Sequence, residues 1–154
     1  MLKNIENGRF GLEGELFFEL FKRYIGFLAD DKDVTIEYIE KCATYLNSIT
    51  GDVINSLCEA SIRYCNDFLD MIGKEPKKFK NTRDVLELIY PSVLIVPIPE
   101  NGNEPVIHLE LNCDWEEEHG MEWIIRDNTV LYVGSFNGED PWGDYSIKES
   151  WNYA

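Results

Sequence analysis

Between Val53 and Ile72 the apolar side chains Val53, Ile54, Leu57, Cys58, Ile62, Cys65, Leu69 and Ile72 recur at spacings of three and four, the period of one helix face. Gly73 and Pro76 follow, a favoured C-terminal glycine and a residue that cannot continue a helix. A five-turn helix with one apolar stripe must bury that stripe against another layer. The remainder of the chain has to supply that layer. It does so within 154 residues, the length of one domain, and such a domain buries roughly 68–70 % of its unfolded-chain surface without help from disulfides or metals. One domain over residues 1–154 is expected.

The second layer reads as β. In Val106-Ile107-His108-Leu109-Glu110-Leu111-Asn112-Cys113, Ile107, Leu109, Leu111 and Cys113 share one face and His108, Glu110 and Asn112 the other. The first face is expected to be core and the second open to water. Met121, Trp123 and Ile125 oppose Glu122 and Arg126 in the same way, and Asp127-Asn128 suits a two-residue reversal into Thr129. Strands are predicted over 93–98, 105–113, 121–126 and 129–134, the last three forming an antiparallel meander on the long helix. Upstream, residues 9–30 alternate partly and predict two strands turning near Lys22-Arg23, with an amphipathic helix over 15–27 as the competing reading. Thr35 precedes the stripe Ile36, Ile39, Ala43 and Leu46, a helix reaching about Ser48. A short helix over 84–89 is expected to stop at Pro91. The predicted class is α+β: an N-terminal β-hairpin, two helices of which the second is long, then an antiparallel C-terminal sheet packed on the long helix.

Charge is distributed unevenly along this framework. The net charge is -15, and residues 84–154 carry 2 positive and 15 negative side chains, while the linker 74–83 carries 5 and 1. Phosphate backbones are bound by lysine and arginine that displace counterions, so nucleic acid is excluded as a general partner. No apolar stretch reaches the 18 or so residues that cross a bilayer, and the N-terminus has no uninterrupted apolar run of a secretory leader. Four cysteines, Cys42, Cys58, Cys65 and Cys113, lie among apolar residues and read as reduced thiols of a cytoplasmic protein.

The densest chemistry lies between two predicted strands, in Cys113-Asp114-Trp115-Glu116-Glu117-Glu118-His119-Gly120. Three consecutive glutamates repel one another, so solvent, a cation or a basic partner must offset them. Cys113, Asp114, Trp115, Glu118, His119, Gly120, Val133 and Gly134 resemble a family of bacterial domains of unknown function with a Cys-Asp-Trp-x-x-Glu-His-Gly hairpin and a Val-Gly strand ending. The Gly14-Glu15 strand, the helix after Thr35 and the long helix through Tyr64 are similar as well. Such families resemble those near polymorphic toxin systems, where small acidic proteins serve as immunity partners. The resemblance implies a basic, toxin-like protein partner, and it carries over no catalytic residue and no cofactor.

Several chemistries compete for the same residues. His119, Cys113, Asp114 and Glu118 are metal-ligand types, yet Cys113 points by parity to the core and no ligand-spacing motif gathers the others. Calcium on carboxylates that include Glu139, Asp140 and Asp144, with Asn137, lacks the ligand register of a calcium loop. A cysteine–histidine nucleophile would need Cys113 in a positive environment, and its surroundings are acidic. His119 has a structural reading, its ring tying the hairpin to a carboxylate or carbonyl. The tail places Phe136, Trp142, Tyr145, Trp151 and Tyr153 among glycines and acids, a composition suited to a contact surface or to a segment folded back on the sheet. The leading expectation is a non-enzymatic binding protein using Asp114, Trp115, Glu116, Glu117, Glu118, His119, Trp142 and Tyr145. The alternatives are a metal-dependent or hydrolytic enzyme centred on His119 and a domain that associates with itself.

Overall fold

The computed structural model describes residues 1–154. Seven strands form one sheet in strict chain order: β1 (Leu2–Asn7), β2 (Leu12–Phe18), β3 (Arg23–Ala29), β4 (Ile89–Val96), β5 (Val106–Cys113), β6 (Met121–Arg126) and β7 (Thr129–Ser135). Every neighbouring pair is antiparallel except β3–β4, which is parallel. A parallel pair needs a crossover, and here it contains α1 (Ile36–Leu46) and α2 (Gly51–Met71). No helix is long and apolar enough to cross a membrane.

Local signals account for the helix ends. Thr35 accepts a hydrogen bond from the Tyr38 amide at 3.1 Å and Thr50 one from the Val53 amide at 3.3 Å, each satisfying an otherwise orphaned donor. Gly73 takes the left-handed conformation (φ 73°) just beyond α2. One core joins Ile39, Ala43, Leu57, Cys58 and Cys65 of the helices to Leu16, Phe27, Leu94, Leu109, Leu111 and Trp123 of the sheet. The Trp123 indole also donates to the Ser61 hydroxyl at 3.2 Å, tying β6 to α2 inside that core.

The expected hairpin turning near Lys22 is present, with Lys22 itself left-handed (φ 54°), and the competing helix over 15–27 is ruled out. Asp127 and Asn128 both have positive φ, 51° and 55°, as a tight reversal between twisted strands requires. Three expectations need correction. β1 went unread because Leu2-Lys3-Asn4-Ile5-Glu6-Asn7 has no apolar alternation; it is an exposed edge strand whose pairing with β2 is broken by a bulge between Lys3 and Glu6, a common form for an edge. Pro91 does not end a helix. A 3-10 turn spans Thr82–Leu88, and β4 begins at Ile89 and runs through Pro91, with a register shift between Pro91 and Val93 that accommodates a residue unable to donate.

The third correction matters most. The sheet face carrying His108 and Glu122 is not open to water: His108 is 6 % and Glu122 0 % exposed, and Val106, Ile124 and Tyr132 on that face are buried too. The tail covers it. Phe136 stacks on the His108 ring, with planes 8° apart, and the Asn137 and Glu139 amides donate to the Glu122 carboxylate at 3.0 and 2.9 Å. The chain then passes the β7 edge. There the Tyr153 amide donates to the Val133 carbonyl at 2.8 Å, and Asn152 bonds the Val133 amide and the Leu131 carbonyl at 3.3 and 2.8 Å. Gly134 makes this path available, since a Cβ there would stand 2.6 Å from the Trp151 carbonyl oxygen.

Candidate functional site

β5 ends at Cys113 and β6 begins at Met121, so residues 114–120 form the connection that the sequence singles out. Gly120 closes it with φ 71°, and a Cβ at that position would meet the Leu111 carbonyl oxygen at 2.7 Å. Within the turn the three glutamates divide by role. Glu116 folds inward, its side chain 8 % exposed, and its carboxylate accepts the amides of Glu118 and His119 at 2.8 and 3.1 Å and pairs with the His119 ring at 3.1 Å. Glu117 and Glu118 point to solvent. The repulsion expected among the three is relieved because one becomes the clamp that holds the turn. Glu116 and Trp115 therefore do not form part of an open contact surface: both are buried, and Trp115 packs edge-on to Tyr64 of α2 with ring centroids 5.6 Å apart. Burial pushes the Cys113 thiol up to about 12, which removes it as a nucleophile at neutral pH.

A cleft of about 890 Å³ lies between this connection, the last turns of α2 and residues 150–153 of the tail. That volume falls in the range of ligand pockets. Asp114, Glu117 and Glu118 stand exposed on its rim beside His119, and Asp67 contributes a further carboxylate that receives the Tyr153 hydroxyl. The ion pairs of the chain are Lys22–Glu19, His108–Glu122 and His119–Glu116, so no lysine or arginine is ion-paired with the rim carboxylates, although Lys74 lines the same cleft. Apolar surface adjoins it, with Met71 70 % and Trp151 48 % exposed. Two polar atoms of the lining, Trp115 Nε1 and the Tyr64 hydroxyl, are buried without any hydrogen-bond partner, at a cost of about 1–3 kcal/mol each. Burial also pushes the Tyr64 hydroxyl well above its ordinary range.

For a metal, ligand atoms of Glu116, Glu118 and His119 lie within 4.8 Å of one another. Glu116 already serves the turn with its hydrogen bonds, so an ion would have to compete with the clamp. Cys113 faces the core, and Asn137, Glu139, Asp140 and Asp144 do not join this group.

Trp142 and Tyr145 are not part of the cleft. Trp142 lies at the far end of β6, where its indole donates to the Ile98 carbonyl at 2.9 Å and its ring faces the Arg126 guanidinium at 5.8 Å. Tyr145 donates its hydroxyl to the Asp140 carbonyl at 2.7 Å, and Arg126 reaches the carbonyls of Pro141 and Gly143. These residues hold the tail to the sheet. Trp151 and Tyr153 are the tail aromatics that reach the cleft. The sequence reading missed the buried His108–Glu122 pair. Ile124 was the available signal, since it places an apolar side chain on the face assigned to water.

No curated protein and no solved structure matches the chain. Residues 1–141 match the family described as Domain of unknown function (DUF6985), a span that holds the whole sheet, both helices and the 114–120 connection. Residues 142–154, which supply one wall of the cleft, lie outside the match. With 141 of its 154 residues inside the match, the chain belongs to this uncharacterised domain family.

Proposed function

We propose that the chain is a non-enzymatic, acidic protein-binding domain of the immunity type, which covers a basic toxin domain with the rim of the cleft beside the 114–120 connection. The observation that carries this reading is the rim itself: Asp114, Glu117 and Glu118 are exposed and unpaired by any cation, next to the exposed apolar surfaces of Trp151 and Met71. Unpaired charge around an apolar centre is the arrangement of a protein contact, in which electrostatics supplies orientation and speed and the apolar part supplies affinity. The inert Cys113 leaves the connection without a thiol nucleophile, and Glu116 and His119 are engaged in holding the turn.

The test is calorimetric titration with the purified product of the adjacent gene at low and high salt. Binding is expected to weaken steeply with salt, and Glu117→Lys with Glu118→Lys is expected to reduce affinity at least about tenfold. Absence of binding, or binding indifferent to both salt and charge reversal, sinks the proposal.

A further inference from the structure

The cleft holds two unmet requirements of opposite sign. Its rim presents the carboxylates of Asp114, Glu117 and Glu118, none of them held in an ion pair, with Lys74 the one lysine of the lining. Its lining holds Trp115 and Tyr64, residues 6 % and 4 % exposed, whose Nε1 and hydroxyl have no acceptor. A simple cation would answer the rim and leave the donors unmatched, and an anion would answer the donors and be repelled at the rim. One chemistry answers both: a polypeptide segment, with a cationic side chain for the carboxylates and main-chain carbonyls for the donors. Among cationic side chains the planar guanidinium forks onto carboxylates and stacks on aromatic rings, and the Trp151 indole flanks the rim half exposed.

We infer that the cleft takes an extended, arginine-bearing segment of the partner. This rests on the protein-binding reading above and assigns it a chemistry. The guanidinium sits among Asp114, Glu117 and Glu118 against Trp151, and a main-chain carbonyl accepts from Trp115 Nε1. Both orphan donors are sealed from solvent in the free chain, so the wall formed by residues 150–153 must shift outward as the segment enters. That wall is fastened by Arg63 to the Tyr153 carbonyl, by the Tyr153 hydroxyl to Asp67, and by the Tyr153 amide and Asn152 to β7, and these are the bonds that its shift strains.

The experiment follows the indole N–H signals of the four tryptophans by NMR during titration with a blocked Gly-Arg-Gly-Arg-Gly peptide. Its citrulline counterpart, which is neutral and of the same shape, and guanidinium chloride are titrated in parallel. The arginine peptide alone is expected to move the Trp115 signal and, through stacking of the guanidinium, that of Trp151, whose Nε1 donates to Glu139, while those of Trp123 and Trp142, which lie away from the cleft and are bonded to Ser61 and Ile98, stay in place. Glu117→Gln with Glu118→Gln, both at exposed positions, should weaken the effect about tenfold. No movement of Trp115, equal movement with citrulline or guanidinium, or indifference to the double substitution overturns the inference. Salt-dependent binding of the adjacent gene's product with a silent peptide would overturn it and leave the broader proposal standing. A responding peptide with no binding of that product would support the cleft and remove the toxin-directed reading.

Discussion

His108 and Glu122 meet diagonally across β5 and β6: His108 stands opposite Ile124 in the register, yet its Nε2 pairs with the Glu122 carboxylate two residues along. The carboxylate opposite Glu122 is that of Glu110, so the His108 ring is the side-chain partner of this buried acid, beside the Asn137 and Glu139 amides. Removing one member of a buried pair strands the other, which costs about 3–5 kcal/mol. His108→Ala is expected to lower stability by that amount in urea denaturation. Glu122→Gln, which can keep some of the bonds to the Asn137 and Glu139 amides, should cost less than Glu122→Ala.

Glu110 itself is held above the ordinary carboxylate range, first by burial and then by the facing Glu122, while His108 pulls the other way. Asp30 is raised as well, by burial and by Asp31. A carboxyl with a raised value in the folded chain keeps its proton more firmly there than in the unfolded chain, so stability falls as pH rises through the window above about 4.5. Glu110→Gln is therefore expected to stabilise the protein by a few tenths to about 1 kcal/mol at pH 7. The gain should vanish near pH 4, where the native side chain is already neutral. Urea midpoints at the two pH values measure the difference.

Burial raises all four thiols, Cys58 and Cys65 to about 11 and Cys113 to about 12. In the native state they should resist alkylation by iodoacetamide at pH 8, and all four should react once the chain is unfolded. Between about 9, where unfolded thiols ionise, and about 11 the folded chain retains protons that the unfolded chain loses. Stability should then decline with rising pH by up to about 1.4 kcal/mol per pH unit for each thiol.

Asn152 is 7 % exposed and binds both the Val133 amide and the Leu131 carbonyl on the free edge of β7. Asn152→Ala should cost about 1–3 kcal/mol, because two buried backbone groups lose their partner. An opened strand edge also templates pairing with another chain. Light scattering across a concentration series should show self-association in the variant and none in the parent chain.

The elements that the sequence revealed best are those whose signal is local. The α2 stripe, its glycine stop, the apolar face of β5 and the Asp127-Asn128 reversal all depend on residues close in the chain, and each lies where expected. What stayed hidden depends on distant partners. β1 is a strand because β2 satisfies its backbone, and its polar composition says nothing of that. The second face of β5 and β6 is buried because residues 136–145 lie on it, so alternation of apolar and polar residues pointed to water where there is protein. At the connection, composition located the acids correctly but could not show that Glu116 turns inward while Glu117 and Glu118 remain outside.

The strict chain order of the sheet also bears on how quickly it assembles. Five of its six pairings join strands adjacent in sequence through short connections, and only the parallel β3–β4 junction joins strands separated by both helices. Closing that intervening stretch carries the large entropic cost of loop formation, whereas each hairpin closes cheaply. Refolding should be limited by the zipping of Gly26–Ala29 onto Val93–Val96, so substitutions along that seam should slow folding. Equally destabilising changes in β6 or β7 should chiefly hasten unfolding.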